Sequence, residues 1–325
     1  MKKVLFIGHE YHKKTHSADF LSDMLSERYD ATLFYIDPYC VDKEPVFDSL
    51  RRQKYDFLIC WQIMPNLEQL KKYFDYGKCI FFPMYDGIRP LSDPNWLNYK
   101  EAKIINFCKT LHLKLKKIGF DSEYIQYFPK PAEVFDYGDE SSLFFWQRRE
   151  NIHLGLMRKL FRLSDLKHIH LHKAMDPEQN FKDYSIEQEL SVSTWFDKRS
   201  DLYAQMQKSA LYMAPRELEG IGMSFLEAMA MGRCVIAPNY PTMNEYIQHG
   251  QTGFLYDLKN PQFLHMENVE KIQKNTLLYI QKGYSVWQEQ KSKIFDWIEE
   301  PCKRKKWVRQ TLLFGFIPLL NRKED

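Results

Sequence analysis

Two α/β domains, each a parallel sheet with helices on both faces, are what this 325-residue sequence predicts, and three observations carry the expectation. Short apolar runs of strand length alternate with stretches of helical periodicity. The alternation stops in a proline- and glycine-bearing stretch near the middle and then starts again. The chain is also long for one core, since domains commonly run roughly 100–200 residues. Strand alternating with helix implies parallel pairing and a doubly wound sheet.

The first run, Val4-Leu5-Phe6-Ile7-Gly8, follows Met1-Lys2-Lys3 and gives way at once to His9-Glu10-Tyr11-His12. It is shorter than the apolar region of a secretory leader and reads as a buried first strand. Residues 17–29 place Phe20, Leu21, Met24 and Leu25 at helical spacing. Further strand-like runs occupy 31–36, 57–61, 79–82 and 104–107. Tyr127-Phe128-Pro129-Lys130-Pro131 and the polar stretch 136–142 then break the pattern. It restarts at 143–146, 168–172, 191–194, 210–214 and 234–237. The expected organisation is a domain over 1–130, a linker over 131–140, a second domain over 141–262, and returning helices with a basic apolar tail over 263–325.

Composition narrows the class. Apolar residues make up 44% and aromatics 15%, enough to build cores and too much for a disordered chain. Lys plus Arg number 46 against 43 Asp plus Glu, leaving +3, so no overall field argues for a nucleic-acid partner. The six cysteines lie far apart, form no CxxC pair, and several sit inside apolar runs, which reads as a reducing, cytoplasmic compartment. No run reaches the roughly 18 apolar residues that span a bilayer.

The chemistry concentrates in 215–232, Pro-Arg-Glu-Leu-Glu-Gly-Ile-Gly-Met-Ser-Phe-Leu-Glu-Ala-Met-Ala-Met-Gly, which leaves a strand and opens a helix. Gly220 and Gly222, flanking Ile221, permit close backbone approach, and the amino end of the helix suits a diphosphate. Glu219 and Glu227, with seven residues between them, present two carboxylates that accept hydrogen bonds from sugar hydroxyls. The alternative is two solvated charges on an ordinary helix-loop unit. Downstream, Glu245 stands ahead of Gly250-Gln251-Thr252-Gly253-Phe254-Leu255, a tight turn into a short strand. Glu245 reads either as a ligand contact or as an acid favoured by a helix dipole.

Residues 211–257 resemble the donor-binding half of the family 4 (group 1) glycosyltransferases, whose Glu-x7-Glu motif lies inside P-S-x-x-E-G-F-G-x-x-x-L-E-A-M-A-x-G-x-P-V. The likeness continues through E-x-x-x-x-G-x-T-G-F-L at Glu245 to Leu255, and Tyr124 to Pro129 resembles the family's interdomain segment. The resemblance implies the GT-B fold: two Rossmann-like domains whose parallel sheets face a cleft. It further implies retaining, metal-independent transfer from a nucleotide-sugar, a UDP- or GDP-sugar, with no cofactor. Glu219 would then meet the donor sugar, Glu227 the ribose, and the amides of Gly220, Ile221 and Gly222 the pyrophosphate. In keeping with it, the chain has no Asp-x-Asp.

A transfer without a metal needs positive groups where charge develops on the departing phosphate. Arg148 and Arg149, following the run 143–146, are the candidates, standing where the family carries an arginine and then a Lys-Gly absent here. The family's Gly-Gly before the downstream glutamate is replaced by Tyr240-Pro241-Thr242-Met243. Asp86, in Tyr85-Asp86-Gly87, stands where the family often has a histidine step and is the candidate to face acceptor or sugar. His9, His12 and His16 follow the first strand and admit three readings: acceptor contact, a polar loop, or a metal site, although no metal-ligand spacing matches.

The tail, Lys303 to Arg309 and then Leu312 to Leu320, reads either as packing back onto the first domain or as contact with an anionic inner-leaflet membrane surface through 303–320. The acceptor expected from the resemblance is a glycan or a lipid-linked glycan in surface polysaccharide, lipopolysaccharide or glycoconjugate synthesis. Two other readings share the architecture: a catalytically silent GT-B subunit binding a glycan or partner protein, and a sugar-nucleotide epimerase.

Overall fold

Alternating buried strands and helices form two six-stranded parallel sheets in the computed structural model, which describes residues 1–37, 44–88, 96, 99–162, 165–176, 179–181, 184–303, 309–312 and 315–318. The chain divides into unit 1, residues 1–126 and 290–325, and unit 2, residues 127–289.

Unit 1 begins with β1 (Lys3–His9), α1 (Tyr11–Thr15), α2 (Asp19–Arg28) and β2 (Asp30–Ile36), and a 3-10 segment over Glu44–Leu50 follows. Then come β3 (Lys54–Trp61), α3 (Leu67–Leu70), β4 (Asp75–Phe82), β5 (Lys103–Asn106), α4 (Lys109–Lys117) and β6 (Asp121–Tyr124). The sheet order is β2-β1-β3-β4-β5-β6, every pair parallel. Val4 to Ile7 are fully buried, as a strand covered on both faces requires. The sheet's order reverses at β1, so the loops after β1 and β3 flank a topological switch point, where open α/β sheets bind ligands.

Unit 2 contains β7 (Asp139–Gln147), α5 (Leu154–Leu160), β8 (His168–Lys173), β9 (Glu189–Ser193), α6 (Arg199–Gln207), β10 (Ser209–Met213) and α7 (Met223–Ala230). It continues through β11 (Cys234–Pro238), a 3-10 turn (Met243–Glu245), β12 (Gly253–Tyr256) and α8 (Val269–Gln290). The order β12-β11-β10-β7-β8-β9, again all parallel, reverses at β7. One face carries the apolar core of Leu143, Phe145, Ile169, Leu171, Leu211 and Ile236. The other carries a histidine-serine ladder: Ser191 Oγ lies 2.8 Å from both His168 Nε2 and His170 Nδ1, and Ser193 Oγ lies 2.8 Å from His170 Nε2 and 2.9 Å from His172 Nδ1.

The stretch expected as a linker, 131–140, is held on unit 2, and the division between units falls ahead of it at Gln126/Tyr127. The amide of Ala132 donates to the carbonyl of Ala230 (2.9 Å), and the fully buried Arg233 donates to the carbonyls of Tyr137 (3.1 Å), Gln207 (3.0 Å), Ser209 (2.9 Å) and Asp136. A buried guanidinium needs many acceptors, and this segment's backbone provides two of them, at Asp136 and Tyr137.

The chain after α8 forms α9 (Lys293–Glu299) and then, where helices were expected, an antiparallel hairpin of β13 (Arg309–Leu312) and β14 (Gly315–Pro318). Aromatic and β-branched residues such as Phe316 and Ile317 favour extended backbone. Half of the residues that carry the membrane expectation, 304–308, 313–314 and 319–320 of 303–320, lie outside those described. Among the described residues no helix is long and apolar enough to cross a membrane.

Candidate donor site in unit 2

Arg148 and Arg149 follow β7, and the 214–222 loop follows β10, so both lie at the carboxyl ends of the two strands between which the order of the unit 2 sheet reverses. The loop ends at Gly222, whose φ of 84° is left-handed and whose missing Cβ would sit 1.9 Å from the Phe225 ring. Only glycine fits there, and it turns the chain into α7.

Glu219 is buried, 7% exposed, in this loop. Thr242 pins the same loop: its Oγ1 donates to the carbonyls of Glu219 (2.7 Å) and Gly220 (2.8 Å). The segment 240–243, a departure from the family pattern, thus supports the loop through a side chain. Ile221 is buried beside it. Glu227, on α7, is contacted by Arg199 from the first turn of α6. Glu245 closes the 3-10 turn, half-buried, its amide donating to the Thr242 carbonyl at 2.9 Å.

Asp176, after β8, is where the positive groups meet. Arg148 reaches its Oδ1 through Nε (2.8 Å) and Nη2 (2.6 Å), and Arg149 Nε lies 2.8 Å from Oδ2. Arg216 donates to Oδ2 through Nε (2.9 Å) and Nη2 (2.7 Å), and its Nη1 is 4.0 Å from Glu219 Oε2. Burial pushes the Asp176 carboxyl up, but Arg148, Arg216 and Arg149 together outweigh it and hold the group below its ordinary value. The Asp176 loop is tied back by its amide, which donates to the Arg148 carbonyl at 3.1 Å. Sequence reasoning missed Asp176, Arg216, Thr242 and Arg199. Arg216 lay inside the recognised motif, whereas Asp176 stands in an ordinary turn sequence with no periodic signal.

The remaining candidates lie in unit 1. His9 ends β1, half-buried, its Nδ1 accepting from the Tyr11 amide at 3.0 Å. His12 points inward: its ring nitrogens meet Ser17 Oγ (2.6 Å) and Gln62 Oε1 (2.8 Å). Burial lowers its pKa to about 4, against a smaller opposing effect of the Gln62 hydrogen bond, so the ring is neutral near pH 7. His16 is exposed and pairs with Asp19 at 2.9 Å. The His9 and His12 rings lie 6.1 Å apart, edge to face, and among the described residues no three His, Cys, Asp or Glu side chains converge as a metal-holding group. Asp86 sits half-buried in the turn after β4.

Comparison with known proteins agrees with the fold. A Haemophilus influenzae protein described as an uncharacterized glycosyltransferase is 27% identical over 108 residues, which span 33% of this chain and 30% of that relative. Anabaena HepE, solved with UDP and glucose, superposes with a TM-score of 0.58 at 11% identity, covering 91% of this chain and 100% of that one. Sucrose-phosphate synthase of Thermosynechococcus elongatus gives 0.66 at 12% identity over 91% and 98%. The fold is therefore GT-B, and residues 177–278, which include Arg216, Glu219, Glu227 and Glu245, match the family model of the glycosyl transferases group 1.

Proposed function

We propose that the protein is a retaining, metal-independent glycosyltransferase that moves a hexosyl group from a nucleotide-sugar, a UDP- or GDP-sugar, to a glycan or lipid-linked acceptor. The observation that carries the reading is the buried Glu219 at the reversal point of the unit 2 sheet, on the loop that opens α7 and 4.0 Å from the Arg216 that meets Arg148 and Arg149 on Asp176. As the bond from the anomeric carbon to the phosphate oxygen breaks, negative charge grows on the diphosphate. Fixed guanidiniums and backbone amides stabilise that charge without reorganising. Glu219 accepts hydrogen bonds from donor-sugar hydroxyls, and Glu227 from those of the ribose, displacing the Arg199 contact as the nucleoside enters. Asp86 and His9 in unit 1 are the groups proposed to meet the acceptor, with His16 at the edge of the same loop. His12 supports that loop from within.

The presence of UDP and glucose in the Anabaena protein favours the uridine series. Retention rests on the motif resemblance. An acceptor in surface polysaccharide or lipopolysaccharide synthesis, reached by a cytoplasmic enzyme held at the inner leaflet through 303–320, fits the basic apolar character of the tail.

Thermal stabilisation by UDP-, GDP-, ADP- and CMP-sugars, with slow donor hydrolysis as the second readout, tests the reading. One nucleotide class should stabilise the wild type, and Glu219→Ala and Glu227→Ala should each lose hydrolysis by roughly a hundredfold, as removal of a transition-state contact does. Free epimer formed without acceptor would indicate an epimerase. Absence of binding by every donor would favour a catalytically silent subunit.

A further inference from the structure

We propose that Asp176 gathers Arg148, Arg149 and Arg216 into one diphosphate-binding clamp, in which Arg216 contacts the ligand and Asp176 is a positioning residue. The inference rests on the donor reading above and adds to it two residues and a division of labour.

Five guanidinium nitrogens approach the two oxygens of this one carboxylate within 2.9 Å, from three arginines on two loops. Such an arrangement saturates the acceptor, since a carboxylate offers about four lone-pair sites. It also leaves charge over. Three guanidiniums face Asp176, and one of them, Arg216, lies 4.0 Å from Glu219, so three positive charges meet two negative ones and the group keeps one net positive charge. The side chains of Arg148 and Arg216 are only 16% and 18% exposed, so water screens their mutual repulsion weakly. Like charges held this close call for an anion. The amino end of α7, opened by the left-handed Gly222, adds oriented amides on the loop that carries Arg216.

Geometry selects the anion. Asp176 holds each arginine through Nε, fixing the plane of each guanidinium. Planes fixed on separate loops suit an anion with several oxygens spread over two linked centres, which a diphosphate has and a single phosphate lacks.

Calorimetric titration with inorganic pyrophosphate and with orthophosphate tests the clamp independently of base and sugar. The wild type is expected to bind pyrophosphate more tightly than orthophosphate. Arg216→Gln should weaken pyrophosphate by roughly tenfold or more, and Arg216→Lys, which keeps the charge and loses the fork, should recover only part of it. Asp176→Asn adds one positive charge, so electrostatics alone would tighten binding, and loss of positioning weakens it. Weaker binding supports the role assigned to Asp176, and tighter binding overturns it. If Asp176→Asn shows no cooperative melt, Asp176→Glu replaces it, and wild-type affinity there overturns the positioning role. Wild-type affinity in Arg216→Gln, or no pyrophosphate binding by the wild type, overturns the clamp. Nucleotide-sugar binding that depends on Glu227 but not on Arg216 would leave the donor reading standing while the clamp fails. Pyrophosphate binding that depends on Arg216, with no nucleotide bound, would do the reverse.

Discussion

His12 shows how a single residue's environment changes its meaning. In the sequence it is one of three histidines after a strand, open to acceptor contact, a polar loop or a metal site, while in the fold it is 8% exposed and hydrogen-bonded at both ring nitrogens. Its pKa of about 4 lies below the 6.5 of an unperturbed imidazole, so on acidification the unfolded chain takes up the proton first. The stability this group confers is complete above pH 6.5 and is lost as pH falls toward 4. Between pH 7 and pH 5 the loss from this one group is about 2 kcal/mol. His170 and His172, also lowered to about 4 by burial, add losses in the same window. Urea midpoints at the two pH values should therefore differ less in His12→Asn than in the wild type, by about 2 kcal/mol after conversion. An equal difference in both proteins would mean that His12 takes up its proton without leaving the fold. Glu219 and Glu227 were legible at this scale because they lie in one short motif. Asp176 was not, because its partners stand 28 and 40 residues away and meet it only once β7, β8 and β10 are adjacent.

Most strands announce themselves by apolar runs, and the unit 2 sheet follows the runs at 143–146, 168–172, 191–194, 210–214 and 234–237 closely. β6 does not, since Asp121-Ser122-Glu123-Tyr124 has no apolar run to detect. It is a strand because its charges are neutralised inside: Lys103, fully buried on β5, lies 3.3 Å from Asp121 Oδ1 and 3.4 Å from Glu123 Oε1. Pairing across neighbouring strands makes burial of these groups tolerable, and periodicity does not reveal partners. α8 contains a comparable hidden constraint. Gly283 lies inside this 22-residue helix, where alanine would ordinarily gain about 1 kcal/mol. A Cβ at Gly283 would sit 2.2 Å from Cε1 of the buried Phe128 ring. The overpacking, about 1–3 kcal/mol, outweighs the helical gain. Gly283→Ala should therefore lower the denaturation midpoint of unit 2, and Gly283→Ala combined with Phe128→Leu should recover part of the loss. A stabilised single variant would show that the Phe128 ring moves aside freely.

At the scale of the whole chain, the division into two sheets was readable from the break in alternation, but the ownership of the C-terminal segment was not. Periodicity identifies a helix and is silent on which sheet it joins. α9 belongs to unit 1, with Ile294 and Ile298 fully buried and the Phe295 ring 5.8 Å from that of Tyr29. Glu299 accepts from Lys2 (2.7 Å) and Tyr29 (3.1 Å), and the Lys303 amide donates to Asp121 (2.7 Å). Burying the two isoleucines alone is worth about 3–6 kcal/mol, a large part of an ordinary domain's stability. A chain ending at 290 should therefore lose amide protection across β1 to β6 while β7 to β12 keep theirs, as measured by hydrogen exchange. A chain ending at 303 retains every one of these contacts and should protect both sheets. It also lacks most of the basic apolar tail, so on the membrane reading it should stop sedimenting with anionic vesicles while its nucleotide-sugar hydrolysis in solution is unchanged. Equal sedimentation of the 303 chain and the full chain would remove the tail from membrane binding. Full protection of β1 to β6 in the 290 chain would show that unit 1 holds together without α9.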